Sequence, residues 1–319
     1  MTMIPDSDLL LHLRSRRICA DGVIELELVD PRGDALPAWA PGAHIDLVLR
    51  DGLTRQYSLC GDPANRTAWH IAVLLDPAGR GGSQHVHEHL IEGATVRVRG
   101  PRNHFALRPA EHYLFIAGGI GITPLLPMVA AVHAAGADWT MFYGGRTRAS
   151  MAYAEHLVER YGTRVTLVPQ DEQGLLDLDS ILARPRPGTE MYCCGPATLL
   201  DAVRTRCTNW LPDRIHTESF TPLADEMAGD DVDFEIEIAS DGSVLTVPAN
   251  QSILDVLLNR GIDVLSSCGE GTCGSCETPV LSGVIDHRDT VLEPSERAAN
   301  DRLMICVSRA ACQRLVLDL

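Results

Sequence analysis

Short runs of apolar residues with polar ones interspersed occupy the first third of the chain: VIELELV (23–29), HIDLVLR (44–50), TRQYSL (54–59), WHIAVLL (69–75) and ATVRVRG (94–100). Each reads as a strand. The turn-forming stretches DPRG, DGL, GDPAN and DPAGRGG lie between them. Short strands at this spacing predict an antiparallel β-barrel or sandwich. One short helix is predicted over Ser83–Leu90.

The pattern changes near residue 112. HYLFIAGG is an apolar strand running into a glycine turn, followed by TPLLPMVAAVHAAGA, a helix with Thr123 as its N-cap and Pro124 at its first position. Strands WTMFYGG, RVTLVPQ and EMYCCG then alternate with helical MAYAEHLVERYG, LDLDSILAR and ATLLDAVRTRC. That alternation predicts a parallel α/β sheet. TPLADEMAGDD (221–231) has few large apolar residues and reads as a linker. Beyond it, DFEIEIAS, SVLTVP, the helix QSILDVLLNRG, ETPVLSG, LMICV and RLVLDL form a small mixed α+β unit. Ser252 and Asp255 fit a capping box, and Gly261 fits a helix C-cap. The expected fold is therefore multidomain, with domains over 1–108, 109–222 and 233–319 and a linker over 223–232.

At 319 residues the chain is long for one core, and 45 % hydrophobic with 22 % charged residues is ordinary for a globular protein. No window reaches 18 consecutive apolar residues, and MTMIPDSDLLLHLRSRR lacks the order of a signal peptide. A cytoplasmic protein with no membrane partner is expected. Ten cysteines in that compartment stay mostly reduced, so a cluster of them points to metal or redox chemistry. Net charge is −16, of which −11 falls on residues 226–319, and the chain contains no lysine. An acidic C-terminal third argues against a nucleic-acid partner, which needs a basic face. It suits docking on a basic protein surface, or solubility alone. No G-x-S-x-G elbow or H-E-x-x-H motif is present, so hydrolase chemistry has no support.

The segment CGEGTCGSC places three cysteines within nine residues, and Cys268, Cys273, Cys276 and Cys306 together space as C-x4-C-x2-C-x29-C. The first three positions match the plant-type spacing of a [2Fe–2S] cluster. Two irons need four thiolates around a compact rhomb, so the loop must wrap closely. Gly269, Gly271 and Gly274 permit the backbone angles this requires and let amide groups face the sulfurs. A zinc site is the alternative for four cysteines, although only Cys273 and Cys276 form a C-x2-C pair.

With that loop the chain resembles the phthalate dioxygenase reductase family over nearly its whole length. It is also similar to the reductase portion of self-sufficient haem-thiolate monooxygenases. The resemblance implies an FMN-binding barrel (1–108), an NAD-binding α/β domain (109–222) and a C-terminal ferredoxin domain of β-grasp type (233–319). RQYS matches the family's R-x-Y-S flavin motif. Arg55 then pairs with the flavin phosphate, Tyr57 packs on the flavin, Ser58 bonds near flavin N5, and Gln56 lies among them. GRGGS opens a helix as a phosphate cradle would, with Gly81, Gly82 and Ser83 at the phosphate. FAD remains the alternative to FMN.

AGGIGITP sits between strand and helix as a dinucleotide loop should, with Pro124 where the last glycine of G-x-G-x-x-G would stand. The resemblance puts Gly118, Gly119, Gly121 and Thr123 around the pyrophosphate. It puts Cys194, with Gly195 and Pro196, near the nicotinamide, and Glu218 and Phe220 beside the flavin ring. Cys193 reads as core. Arg146 and Arg148 suit an adenosine phosphate and hence NADPH, whereas the family favours NADH. HVHEH (85–89) carries three histidines, but His87 does not share the helical face of His85 and His89, so metal is a minor reading. Cys19, Cys60, Cys207 and Cys312 read as single thiols.

These expectations make an NADH-dependent oxidoreductase that passes electrons through FMN and a [2Fe–2S] cluster to a separate oxygenase component. A Rieske-type oxygenase is the expected partner, a haem-thiolate monooxygenase the alternative, and a monomer the expected state. A rival of another class is a colourless, zinc-bearing binding module.

Overall fold

The computed structural model describes residues 8–50, 53–183, 185–220, 231–292 and 294–319. The expected linker lies outside these residues except for Asp231 and Val232. The chain divides into two compact units, Met1–Glu218 and Ser219–Leu319.

The first unit begins with strands β1 (Leu9–Ala20), β2 (Val23–Val29), β3 (His44–Arg50), β4 (Leu53–Ser58) and β5 (Trp69–Leu74). Helix α1 (Gly82–His89) and strand β6 (Thr95–Arg102) follow. Their antiparallel sheet has the order β4-β3-β6-β1-β2-β5, and a bridge between Leu59 and Ile71 joins its two ends into a barrel. Leu11, Leu26, Ile45, Leu47, Trp69 and Val98 fill the interior from alternate positions. Strand β1 is the element that alternation did not reveal. Register shifts between Leu13 and Ser15 and between Ile18 and Ala20 break its period of two.

Strand β7 (His112–Gly118) starts the α/β layer, followed by α2 (Ile122–Ala134), β8 (Asp138–Gly145), α3 (Ala154–Tyr161) and β9 (Val165–Pro169). Helices α4 (Gln170–Gln173) and α5 (Leu178–Leu182), strand β10 (Thr189–Cys194), helix α6 (Ala197–Arg206) and strand β11 (Ile215–Glu218) complete it. All pairings are parallel, in the order β11-β10-β7-β8-β9. The order reverses between β7 and β10, so their C-terminal ends flank a crevice of the kind that binds nucleotides in open α/β sheets. Thr123 is not the N-cap of α2. A 3-10 turn over Gly119–Gly121 precedes the helix, Gly121 takes the cap position, and the Thr123 hydroxyl donates to the Ile120 carbonyl at 3.0 Å.

The second unit contains β12 (Phe234–Ile238), β13 (Val244–Val247), α7 (Ile253–Asn259), β14 (Glu277–Ser282), β15 (Ile285–Asp286) and α8 (Pro294–Ala299). It ends with β16 (Arg302–Met304), β17 (Arg309–Ala310) and β18 (Arg314–Leu317). The five-stranded sheet β13-β12-β18-β14-β16 has one parallel pair, β12 with β18, and packs on α7 in a β-grasp arrangement. The Ser252–Asp255 capping box forms as its spacing predicted.

Within the first unit a polar cluster joins barrel to α/β layer. Glu25 of β2 accepts two bonds from Arg17, at 2.8 and 2.9 Å, and one from the Tyr153 hydroxyl at 2.5 Å. Tyr153 precedes α3 with a left-handed φ of 62°, a conformation that costs a non-glycine residue free energy. Burial alone would push the Glu25 carboxyl up, but bonds from His70, Arg17 and Tyr153 outweigh it and hold the pKa at about 2. Because that value lies below the unfolded one, the stabilisation is present above about pH 4.5 and is lost as pH falls toward 2. Glu25→Gln is expected to cost about 1–3 kcal/mol at neutral pH and to flatten acid unfolding between these limits, as measured by circular dichroism.

Candidate functional site

Three sets of residues bear the chemistry, two in the first unit and one in the second. On the barrel, β4 carries Arg55, Gln56, Tyr57 and Ser58. Ser58 is buried, and neither its hydroxyl nor the Gln56 side-chain amide nitrogen has a hydrogen-bond partner among the described residues. Two buried polar atoms left open on one strand end suit a polar ligand. The Tyr57 phenol is pushed up by burial, as a ring packed on the barrel core would be.

The Arg55 guanidinium reaches over the start of α1. It donates to the Thr54 carbonyl at 2.8 Å and the Arg80 carbonyl at 3.2 Å. A Cβ added to Gly82 would stand 2.5 Å from Arg55 Nε. Gly81, with φ of 78°, is the cap. A helix N-terminus and an arginine fork thus face the same place, which is the donor set for a phosphate. Ser83 differs from expectation in its hydroxyl, which accepts from the Asp76 amide at 2.9 Å and ties the preceding turn, leaving its backbone amide in the first helical turn.

In the α/β layer, β7 and β10 bring Gly118–Gly121 against Cys194–Pro196. A Cβ at Gly121 would lie 2.3 Å from the Cys194 carbonyl oxygen, and one at Gly118 would lie 2.8 Å from Pro196 Cδ. Only glycine allows the two strand ends to meet this closely. Gly119, with φ of 54°, turns the chain between them. Strand register sets Cys194 beside Glu218 of β11, and the Cys194 thiol donates to the Glu218 carboxyl at 3.9 Å. Burial pushes Glu218 up to about 8, and the bond from Cys194 only partly opposes it. The Cys194 thiol is itself raised by burial and by the adjacent carboxyl. At neutral pH this pair holds both protons. Cys193 points into the core under α5 and α6. Arg146 is exposed without an ion-pair partner among the described residues, whereas Arg148 pairs with Glu155 at 3.1 Å. Phe220 belongs to the second unit and is 40 % exposed.

In the second unit, Cys268, Cys273, Cys276 and Cys306 lie together. Thiol contacts run from Cys273 to Cys268, from Cys268 to Cys306 and from Cys306 to Cys276. Four thiols in mutual contact, three of them in the plant-type spacing on one glycine loop, are the donor set a two-iron rhomb needs. Bonds from Cys273 and Cys306 hold Cys268 well below the ordinary thiol range, and its ionisation raises those two neighbours in turn. The amides of Glu270 and Ser275 donate to the Cys268 and Cys273 sulfurs at 3.3 and 3.5 Å. By contrast, HVHEH makes no such site. His85 and His89 stack at 4.5 Å, while His87 turns to the Val73 carbonyl at 3.0 Å.

Residues 236–313 match the 2Fe-2S iron-sulfur cluster binding domain family. Residues 95–210 match the N-terminal domain of dimethylamine monooxygenase subunit DmmA-like proteins. The chain is 37 % identical to phthalate dioxygenase reductase of Burkholderia cepacia, over 98 % of each protein. The chain belongs to the phthalate dioxygenase reductase family. Phenoxybenzoate dioxygenase subunit beta of Ectopseudomonas oleovorans is a family relative at 43 % identity, over 100 % of this chain and 98 % of that protein. A solved phthalate dioxygenase reductase, described as a modular structure for electron transfer from pyridine nucleotides to [2Fe–2S], superposes with a TM-score of 0.72 at 36 % identity over 98 % of both chains. An intact type IV self-sufficient cytochrome P450 monooxygenase superposes with a TM-score of 0.92 at 43 % identity, over 98 % of this chain and 41 % of that one.

As a phthalate dioxygenase reductase homologue, the chain is an oxidoreductase of the kind that serves oxygenase systems as their reductase subunit. Two buried acids escaped the sequence reading. The acid of the barrel cluster, Glu25, alternates in VIELELV like any outward-facing residue, and its partner Tyr153 is 128 positions away. The other, Asp289, sits in HRDTVL with no motif to mark it.

The raised Glu218 value gives a signed prediction. A carboxyl that binds its proton more tightly when folded stabilises fully below about pH 4.5, and that stability is lost as pH rises through about 8. Glu218→Gln removes the dependence. The variant is expected to gain about 1–3 kcal/mol over the parent by pH 9, read as a pH series of melting temperatures for both proteins.

Proposed function

We propose that this chain is an NADH-dependent reductase that delivers electrons, through bound FMN and a [2Fe–2S] cluster, to a separate Rieske-type oxygenase. The observation that carries it is the set of four thiols in mutual contact on a glycine loop, in the same chain as a nucleotide-type sheet crevice and an arginine–helix phosphate cradle. We divide the work among residues 1–108 for flavin, 109–222 for nicotinamide and 233–319 for the cluster.

Flavin supplies the exchange between hydride and single-electron chemistry, and the cluster carries one electron at a time. The chain's own residues bind and orient. Arg55 and the start of α1, at Gly81, Gly82 and Ser83, hold the FMN phosphate. Ser58 and Gln56 bring open donors to the polar edge of the ring system, and Tyr57 packs beside it. Gly118, Gly119, Gly121 and the first turn of α2, which contains Thr123, receive the NADH pyrophosphate. Cys194, Gly195 and Pro196 form the wall by the nicotinamide. Glu218, whose carboxyl is biased toward its protonated form by burial, stands beside Cys194. Cys268, Cys273, Cys276 and Cys306 hold the two irons.

The Arg148–Glu155 pair supports NADH over NADPH, since it occupies one of the two arginines a 2′-phosphate would need and adds an acid beside it. The family relatives support a Rieske-type acceptor, because they match this chain end to end and are named for dioxygenase and monooxygenase systems. The TM-score of 0.92 with a P450 monooxygenase supports a second reading, in which the acceptor is a haem-thiolate enzyme. Reconstitution with a purified oxygenase of each type separates the two. Cys273→Ser is expected to keep NADH-to-dye activity within about twofold and to abolish turnover of the oxygenase. Oxygenase turnover retained in that variant would contradict the assignment.

A further inference from the structure

Asp289 lies in the loop between β15 and α8, and it is the only acid in the second unit, among the described residues, whose side chain has no exposed surface. A buried carboxylate is costly unless it is bonded. One of its oxygens accepts from the amides of Val291 and Leu292 at 3.0 and 2.8 Å. The other lies 3.5 Å from the Ser308 hydroxyl and 3.8 Å from His287 Nδ1. Arg297 stands 3.8 Å away, at the outer limit of an ion pair, with its side chain a third exposed. It spends its closer bonds on the carbonyls of Asp289 and Leu292. The negative charge is thus well solvated by amides but only loosely neutralised.

Its surroundings are the two limbs of the cysteine set. The next residue, Thr290, donates its amide to the Gly271 carbonyl at 2.9 Å and its hydroxyl to the same oxygen at 3.3 Å. A Cβ at Gly271, between Cys268 and Cys273, would lie 3.1 Å from Asp289 Cα and 2.5 Å from Val307 Cγ2. The cysteine loop is therefore in direct contact with Asp289. On the other limb, Ser308 is two residues past Cys306 and accepts from the Arg288 amide at 3.2 Å. An asparagine would satisfy the same two amides without burying a charge, so capping alone does not call for an acid here.

We propose that Asp289 is a positioning residue that ties both limbs of the cysteine set and also fixes a negative charge behind the cluster, lowering its reduction potential. This rests on the assignment of a [2Fe–2S] cluster to the four cysteines. Adding an electron beside a fixed anion in a low-dielectric interior is unfavourable, and net local charge is one of the determinants of such potentials. The reduced cluster is thereby a stronger donor to the acceptor protein.

The test is a redox titration of the holoprotein, with the cluster followed by EPR and the flavin by absorbance, for the parent and Asp289→Asn. The variant is expected to keep its iron and sulfide and leave the flavin potential unchanged. Its cluster should show a several-fold higher reduced-to-oxidised ratio at fixed ambient potential, tenfold being about 59 mV for one electron. An unchanged cluster potential at full occupancy would overturn the proposal. Should Asp289→Asn lose its cluster, Arg297→Gln decides. Removing the loose counter-charge is expected to shift the cluster potential the opposite way, and no shift or a positive one would overturn the proposal. Parent protein that takes up no cluster on reconstitution would refute the functional reading itself, and the proposal with it. That result is distinct from a full cluster indifferent to residue 289.

Discussion

The second unit depends on a loop in which four sulfurs crowd together, and crowding is possible only because the backbone bends at glycine. Gly269, Gly271 and Gly274 all have positive φ, between 66° and 70°. An L side chain there would be strained, and at Gly271 it would also strike Val307 and Asp289. The bends aim amides of the loop at sulfur and place the thiols in contact with one another. Around them backbone hydrogen bonds hold the flanking segments together. The Ile305 amide bonds the Cys276 carbonyl at 3.4 Å, and the Leu254 amide at the start of α7 bonds the Ile305 carbonyl at 3.0 Å. A site held this way suits a carrier that must change charge with little rearrangement.

The first unit uses glycine for a different end. At Gly118 and Gly121 the gain is close approach between two strand ends beside the start of helix α2, at the edge where open α/β sheets bind nucleotides. The same register that brings β7 to β10 sets Glu218 against Cys194. Burial biases both groups toward their protonated forms, so this corner carries little charge. The flavin end is the reverse, with an arginine fork and a helix N-terminus that favour negative charge. The two ends of the expected reaction path thus differ in polarity within one compact unit.

Much of this was legible in the sequence where one physical pattern dominated. VIELELV and HIDLVLR are short apolar-rich runs between turn signals and match β2 and β3 residue for residue. The spacing of Cys268, Cys273 and Cys276 is local, so the chemistry of the loop could be read without the fold. The illegible parts are those decided by distant partners or irregular backbone. Two register shifts hid β1. The 3-10 turn displaced the cap from Thr123 to Gly121, which propensity alone does not reveal. Glu25 and Asp289 look like surface acids until the fold buries them against Tyr153 and the cysteine loop. Ser83 and Arg148 have the residue types a ligand site needs, but neighbours already engage their side chains.

The central claim is that one chain accepts an electron pair from NADH and releases it singly by way of a flavin and a [2Fe–2S] cluster. The most direct measurement is an anaerobic titration of the reconstituted protein with NADH, followed by visible absorbance and low-temperature EPR together. The account predicts loss of flavin absorbance accompanied by the EPR signal of a reduced [2Fe–2S] cluster. Bleaching of the flavin with no reduced-cluster signal, in protein shown to contain iron and sulfide, would contradict it.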